Sequence, residues 1–219
     1  MPLKAVLCDL DGTLVDSAED IRDALNQLLA ELRRDPVGAD EIKTMIGDGV
    51  GKLIERALAS RRGYPGDGAR LVPRFLALYE PNAARSTRAY PEVPETLRAL
   101  KARCLGLAVV TNKPEAATRA ILASLDLAPL VEVVIGGDTA PERKPHPAPV
   151  LLALERLGVV AAEAVMVGDN HHDVSAARAA GVRVIAVSYG YSHVPHAELG
   201  ADRLIDRFVE LLGALEDLR

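Results

Sequence analysis

Short apolar runs at residues 4–8, 107–110, 131–135, 164–167 and 183–187 are separated by segments with helical periodicity. Runs this short suit buried strands, and the helical patterns between them are long enough to carry each chain back across the sheet. The alternation predicts a parallel α/β fold, with a further short strand at 203–205. Helices are expected over 93–103, 115–125, 149–157, 174–180 and 207–218. The last of these places Phe208, Leu211, Leu212 and Leu215 on one face.

Residues 16–85 break the alternation. Ile21, Leu25, Leu28, Leu29 and Leu32 form one helical stripe, Leu53, Ile54, Ala57 and Leu58 a second, and Leu71, Val72, Phe75, Leu76 and Tyr79 a third. Ser17 with Asp20 three residues on reads as a helix-starting box. An all-helical block of this length after the first strand is too long for a loop. The expected organisation is a doubly wound parallel-sheet core (1–15 and 87–219) carrying an inserted all-helical cap (16–86). The crossings near 15–17 and 86–90 would serve as hinges.

Hydrophobic residues make up 49% of the 219 residues and aromatics only 3%, so aliphatic side chains must fill the core. A net charge of -5 argues against a nucleic-acid-binding face. No apolar run approaches the length of a membrane span, and Asp9 and Asp11 interrupt the first apolar stretch where a secretory signal would need continuity. Cys8 and Cys104 do not form a disulfide framework. A cytoplasmic protein with reduced cysteines is expected, and monomer and homodimer stay equally open.

Ligands of open parallel sheets bind beyond the carboxyl ends of the strands. There the sequence places Asp9-Leu10-Asp11, Thr111-Asn112, Gly136-Gly137-Asp138 and Gly168-Asp169, with Lys144 in the loop after the third strand. Asp9 and Asp11, two apart on extended chain, can flank one phosphorus atom. One carboxylate can attack while the other protonates the leaving oxygen. Several carboxylates beside a phosphate require a hard cation, with Mg²⁺ the usual choice. Thr111 can donate to a phosphoryl oxygen, and Lys144 can offset charge on the phosphoryl group and the nucleophile.

The segment Asp9-Leu10-Asp11-Gly12-Thr13-Leu14-Val15-Asp16 resembles the first motif of the haloacid dehalogenase superfamily. Val109-Val110-Thr111-Asn112 resembles its second motif, Lys144-Pro145 its third, and Gly168-Asp169-Asn170-His171-His172-Asp173 its fourth, in the family's order. The resemblance implies that Asp9 is the nucleophile and a Mg²⁺ ligand. It implies that Asp11 is the general acid/base with its backbone carbonyl on the metal, and that Thr111 and Lys144 hold the phosphoryl group. Asp169 would ligate the metal directly and Asp173 would bind it through water or orient its shell, unless Asp173 only caps the following helix. The second acid favours phosphatases over dehalogenases.

Within the superfamily the chain is similar to the phosphoglycolate phosphatase group, through its cap insertion point, Ala89-Tyr90-Pro91-Glu92-Val93 and Gly136-Gly137-Asp138-Thr139. The implied reaction is hydrolysis of a small phosphorylated metabolite, 2-phosphoglycolate to glycolate. Sugar-phosphate phosphatases, pyrophosphatases and phosphohexomutases share those features. A phospho-accepting signalling domain is disfavoured, because its accepting Asp follows a middle strand. For the substrate, Thr111, Asn112, Gly49 and Lys52 are candidates. The turn Gly47–Gly51 before a helix start can receive an anion or simply be a flexible turn. His171 and His172 read as solvated loop histidines.

Overall fold

A computed structural model describes residues 2–61 and 68–218; the part of the expected cap at 62–67 lies outside them. In chain order come β1 (Ala5–Cys8), β2 (Val15–Asp16), α1 (Ala18–Glu31), α2 (Ala39–Lys43), α3 (Val50–Ala59), α4 (Val72–Tyr79) and β3 (Arg88–Ala89). They are followed by α5 (Val93–Ala102), β4 (Gly106–Val110), α6 (Glu115–Ser124), β5 (Val133–Ile135), α7 (Ala148–Leu157) and β6 (Ala164–Gly168). The chain ends with α8 (His171–Ala179), β7 (Arg183–Val187), β8 (Arg203–Ile205) and α9 (Leu211–Asp217).

Six strands form one sheet of order β5-β4-β1-β6-β7-β8, with every neighbouring pair parallel. Alternation along the strands sends Val6, Cys8, Val109, Val167 and Ile185 to one face. Leu7, Ala108, Val110, Met166 and Val184 go to the other. Helices α5, α6 and α9 cover the first face and α7 and α8 the second, which is why the strands are apolar throughout. The connections diverge on either side of β1, so a crevice opens at its carboxyl end.

The apolar cluster on the first face continues without a break into the cap through Leu10, Leu14, Val15, Ile21, Leu25, Leu53 and Phe75. No strand lies in the described residues between β2 and β3. Those two strands pair antiparallel, Val15 with Ala89 and Asp16 with Arg88, and form the double crossing between cap and core. A two-residue ribbon is too short to show a periodicity. Among the described residues no helix is long and apolar enough to cross a membrane.

Several boundaries differ from expectation. The strand expected from 131 begins at Val133, because residues 128–130 wind into a 3-10 turn. The last helix opens as a 3-10 turn at Phe208–Glu210. Helix α8 starts three residues early, at His171. Asn170 is its cap: its Oδ1 accepts from His172 N at 3.4 Å, while Asp173 Oδ2 accepts from Asn170 N at 3.1 Å. The Ser17–Asp20 box does not form. Ser17 instead turns toward Asp11, and Asp20 accepts from Ser86 N at 2.9 Å and from Thr87 N and Oγ1, both at 2.8 Å.

Candidate active site

The end of β1 is fixed before any side chain acts. Asp9 N donates to Val167 O at 2.9 Å, and the chain then curls so that Leu14 N reaches Leu10 O at 2.9 Å. Gly12 makes this turn at φ +87, and a Cβ there would lie 2.4 Å from Asp169 Oδ2. The turn presses Thr13 against β6, where its hydroxyl donates to Asp169 Oδ1 at 3.0 Å. Tyr191 N donates to the other oxygen, Oδ2, at 2.6 Å.

Asp9, Asp169 and Asp173 are buried, and one oxygen from each lies within 4.8 Å of the others. Lys144 Nζ enters this cluster 2.9 Å from Asp9 Oδ1 and 2.6 Å from Asp173 Oδ1, and donates to Val110 O at 2.6 Å. Burial pushes the Asp9 carboxyl up to about 6, against the opposing pull of Lys144. Burial also raises Asp169, with Asp173 and Asp9 adding repulsion. Three carboxylates facing one ammonium leave two negative charges uncompensated in a desolvated place. An all-oxygen set with that deficit fits a hard divalent cation.

The second acid stands apart. Asp11 is not in the three-carboxylate cluster: its Oδ1 accepts from Ser17 Oγ at 2.5 Å, and Lys113 Nζ lies 3.0 Å from each of its oxygens. Asp9 and Asp11 therefore face different cations, Lys144 for the first and Lys113 for the second. Thr111 is buried beside them, its N donating to Ile135 O at 2.9 Å and its Oγ1 accepting from Lys113 N at 3.3 Å.

The other candidates divide. Gly49 lines the same pocket as Asp9, Asp11 and Thr111, with φ +85. Asn112 lines it too, but its amide is occupied as a brace: Nδ2 donates to Gly47 O and Lys144 O, both at 2.9 Å, and Oδ1 accepts from Lys144 N at 3.0 Å. Lys52 is not brought to the site; its side chain is 62% exposed and pairs with Glu55 at 2.7 Å. The histidine expectation is corrected for His172, which is buried at the start of α8 and meets Asp48 of the cap. His171 is exposed, as expected.

A family model described as haloacid dehalogenase-like hydrolase matches residues 6–187. The chain belongs to that family. It is 47% identical over 215 residues to a phosphoglycolate phosphatase of Rhodospirillum rubrum, covering 95% of this chain and 89% of the relative. A crystal structure of a predicted phosphoglycolate phosphatase from Haemophilus somnus superposes with a TM-score of 0.91 at 34% identity, covering 97% of each chain. CbbY from Rhodobacter sphaeroides, in complex with phosphate, superposes with a TM-score of 0.83 at 28% identity over 98% of this chain and 99% of its own. As a haloacid dehalogenase-like hydrolase the chain is an enzyme, with phosphoric monoester hydrolases among its relatives.

Sequence reasoning missed several residues of this hydrolase's site. Lys113 is one step beyond the expected Thr111-Asn112 pair, and its place in the same turn after β4 was the available signal. Ser17, Thr13 and Tyr191 act through contacts with Asp11 and Asp169 that only the folded chain creates.

Proposed function

We propose that this chain hydrolyses 2-phosphoglycolate to glycolate and inorganic phosphate through a phosphoaspartate on Asp9, with Mg²⁺ held by Asp9, Asp169 and Asp173. The observation that carries the reading is the separation of the two acids, one beside Lys144 and the carboxylate cluster, the other beside Lys113 and Ser17. An attacking group must stay unprotonated while an acid two residues away handles the proton, and different partners let neighbouring carboxylates take those roles.

An Asp9 carboxylate oxygen forms the bond to phosphorus as the bond to the glycolate oxygen breaks, and Asp11 delivers the proton to that oxygen. A water then attacks phosphorus, Asp11 takes its proton, and the Asp9–phosphorus link breaks to release phosphate. Bound Mg²⁺ would neutralise charge shared by the phosphoryl oxygens and the carboxylates. Lys144 orients Asp9 while anchored by Val110 O and Asp173. Thr111 offers its hydroxyl to a phosphoryl oxygen.

Residues 16–86 act as the cap in this reading. Asn112 Nδ2 to Gly47 O and His172 to Asp48 fasten the cap turn over the site, excluding bulk water. The name of the Rhodospirillum relative supports 2-phosphoglycolate as substrate. So do the apolar walls: Ile21, Ile46, Val50, Leu53 and Phe75 would leave the hydroxyls of a sugar phosphate unsatisfied. With Mg²⁺ present, kcat/KM for 2-phosphoglycolate should exceed that for hexose phosphates, pyrophosphate and nucleotides; a tenfold preference for any of these would overturn the substrate.

A further inference from the structure

Lys113 has a burial that ordinary ion-pair reasoning does not explain. Its side chain is 4% exposed, and its hydrogen bonds to charge go to one carboxylate, Asp11, at 3.0 Å to each oxygen. Its Nζ otherwise faces the ring of Tyr79 on α4, 4.7 Å from the centroid. Burial works against its charge, and Asp11 and Tyr79 together more than offset this, holding the ammonium above the ordinary lysine range. Lys144 in contrast is saturated by Asp9, Asp173 and a carbonyl. Burying a lysine beside Asp11 is a costly way to hold that acid, since Ser17 already does so.

The pocket explains the cost. Among the described residues lining the space between Asp11 and the cap, Lys113 is the one with a cationic side chain, and most of the others are apolar. The cation first expected to serve the substrate lies elsewhere: Lys52 pairs outward with Glu55, and Arg56 on the same helix is tied to Asp48 at 2.6 Å and to Met45 O at 3.0 Å. An ester oxygen placed at Asp11 puts whatever lies two covalent bonds further along the leaving group next to Lys113. In a largely apolar pocket, that position suits an anion.

Resting on the phosphatase reading above, we propose that Lys113 is the specificity residue that receives the carboxylate of the leaving group, sharing it with Asp11 across one ammonium. A substrate without that carboxylate leaves the ammonium with Asp11 as its one anionic partner, and a site built around a second charged hydrogen bond discriminates against such an analogue. Tyr79 closes the far side through its ring, so the carboxylate must sit close to the reacting ester, and longer leaving groups fit poorly.

The test compares kcat/KM for 2-phosphoglycolate and for ethyl phosphate, which replaces the carboxylate by a methyl group, in wild type, Lys113→Met and Lys113→Arg. The wild type should prefer 2-phosphoglycolate. Lys113→Met should reduce that preference by about tenfold to a hundredfold, and Lys113→Arg, which keeps the charge, should restore part of it. Should Lys113→Met fold poorly, glycolate should still inhibit the wild type much more strongly than glycolamide. Loss of equal size on both substrates would overturn the proposal and leave Lys113 as a positioning residue for Asp11. A preference unchanged in Lys113→Met would overturn it while the phosphatase reading stands. A wild type indifferent to the carboxylate would overturn this proposal together with 2-phosphoglycolate as the substrate.

Discussion

Ser17 Oγ donates a 2.5 Å hydrogen bond to Asp11 Oδ1, joining the residue at the start of the first cap helix to the second acid of the site. Ser17 N in turn accepts no helical role but donates to the Tyr191 hydroxyl at 3.0 Å, and that hydroxyl meets Asp16. The crossing between cap and core is therefore wired to the group that handles the proton. Ser17→Ala should lower kcat by about threefold to tenfold while KM changes by less than about twofold, because the bond orients Asp11 without touching the phosphate. Steady-state kinetics check this, and a change confined to KM would contradict it.

Asp20 holds the other crossing. It is 4% exposed, and its carboxylate accepts from Ser86 N, Thr87 N and Thr87 Oγ1. Asp20→Ala leaves two backbone N–H groups without that acceptor, a loss on the order of 3 kcal/mol. In a chain this size, that corresponds to a fall in Tm of roughly 6–12 °C. Calorimetry would show it, and a Tm within about 1 °C of wild type would remove Asp20 from the hinge.

The strands were legible because a doubly covered sheet demands apolar residues along its buried strands, and 5–8, 164–168 and 184–187 supply them. Asp9, Asp11, Thr111, Lys144 and Asp169 could be grouped from the sequence because each follows directly from a strand end or its adjoining loop, whereas Asp173 lies in the first turn of α8. Ser17, Asp20 and Tyr191 were not, since their partners lie as far as 175 residues away in sequence. Lys52 misled for a physical reason. The helix-start argument places it near an anion, but its side chain leaves along the exposed face of α3 toward Glu55. His172 looked like a loop residue because the cap of α8 is Asn170 rather than Asp173.

The carboxylate cluster predicts a pH dependence of stability. The Asp9 carboxyl lies at about 6 in the fold, against about 4 in an unfolded chain. The folded state therefore holds the proton more tightly, and this contribution is complete below about pH 4 and lost as pH rises through about 6. Metal-free wild type should lose stability relative to Asp9→Asn between pH 5 and pH 7, by a few degrees in Tm. Saturating Mg²⁺ should stabilise the wild type and narrow the gap. A Tm difference independent of both pH and Mg²⁺ would contradict the proposed competition between proton and cation for these carboxylates.

The central claim is that Asp9 is the nucleophile. With ³²P-labelled 2-phosphoglycolate, Mg²⁺ and an acid quench during a single turnover, label should appear on the protein within the peptide containing Asp9. Asp9→Asn should carry no label and release no phosphate at a measurable rate, with its fold intact. Label on another residue, or near wild-type turnover by Asp9→Asn, would contradict the account.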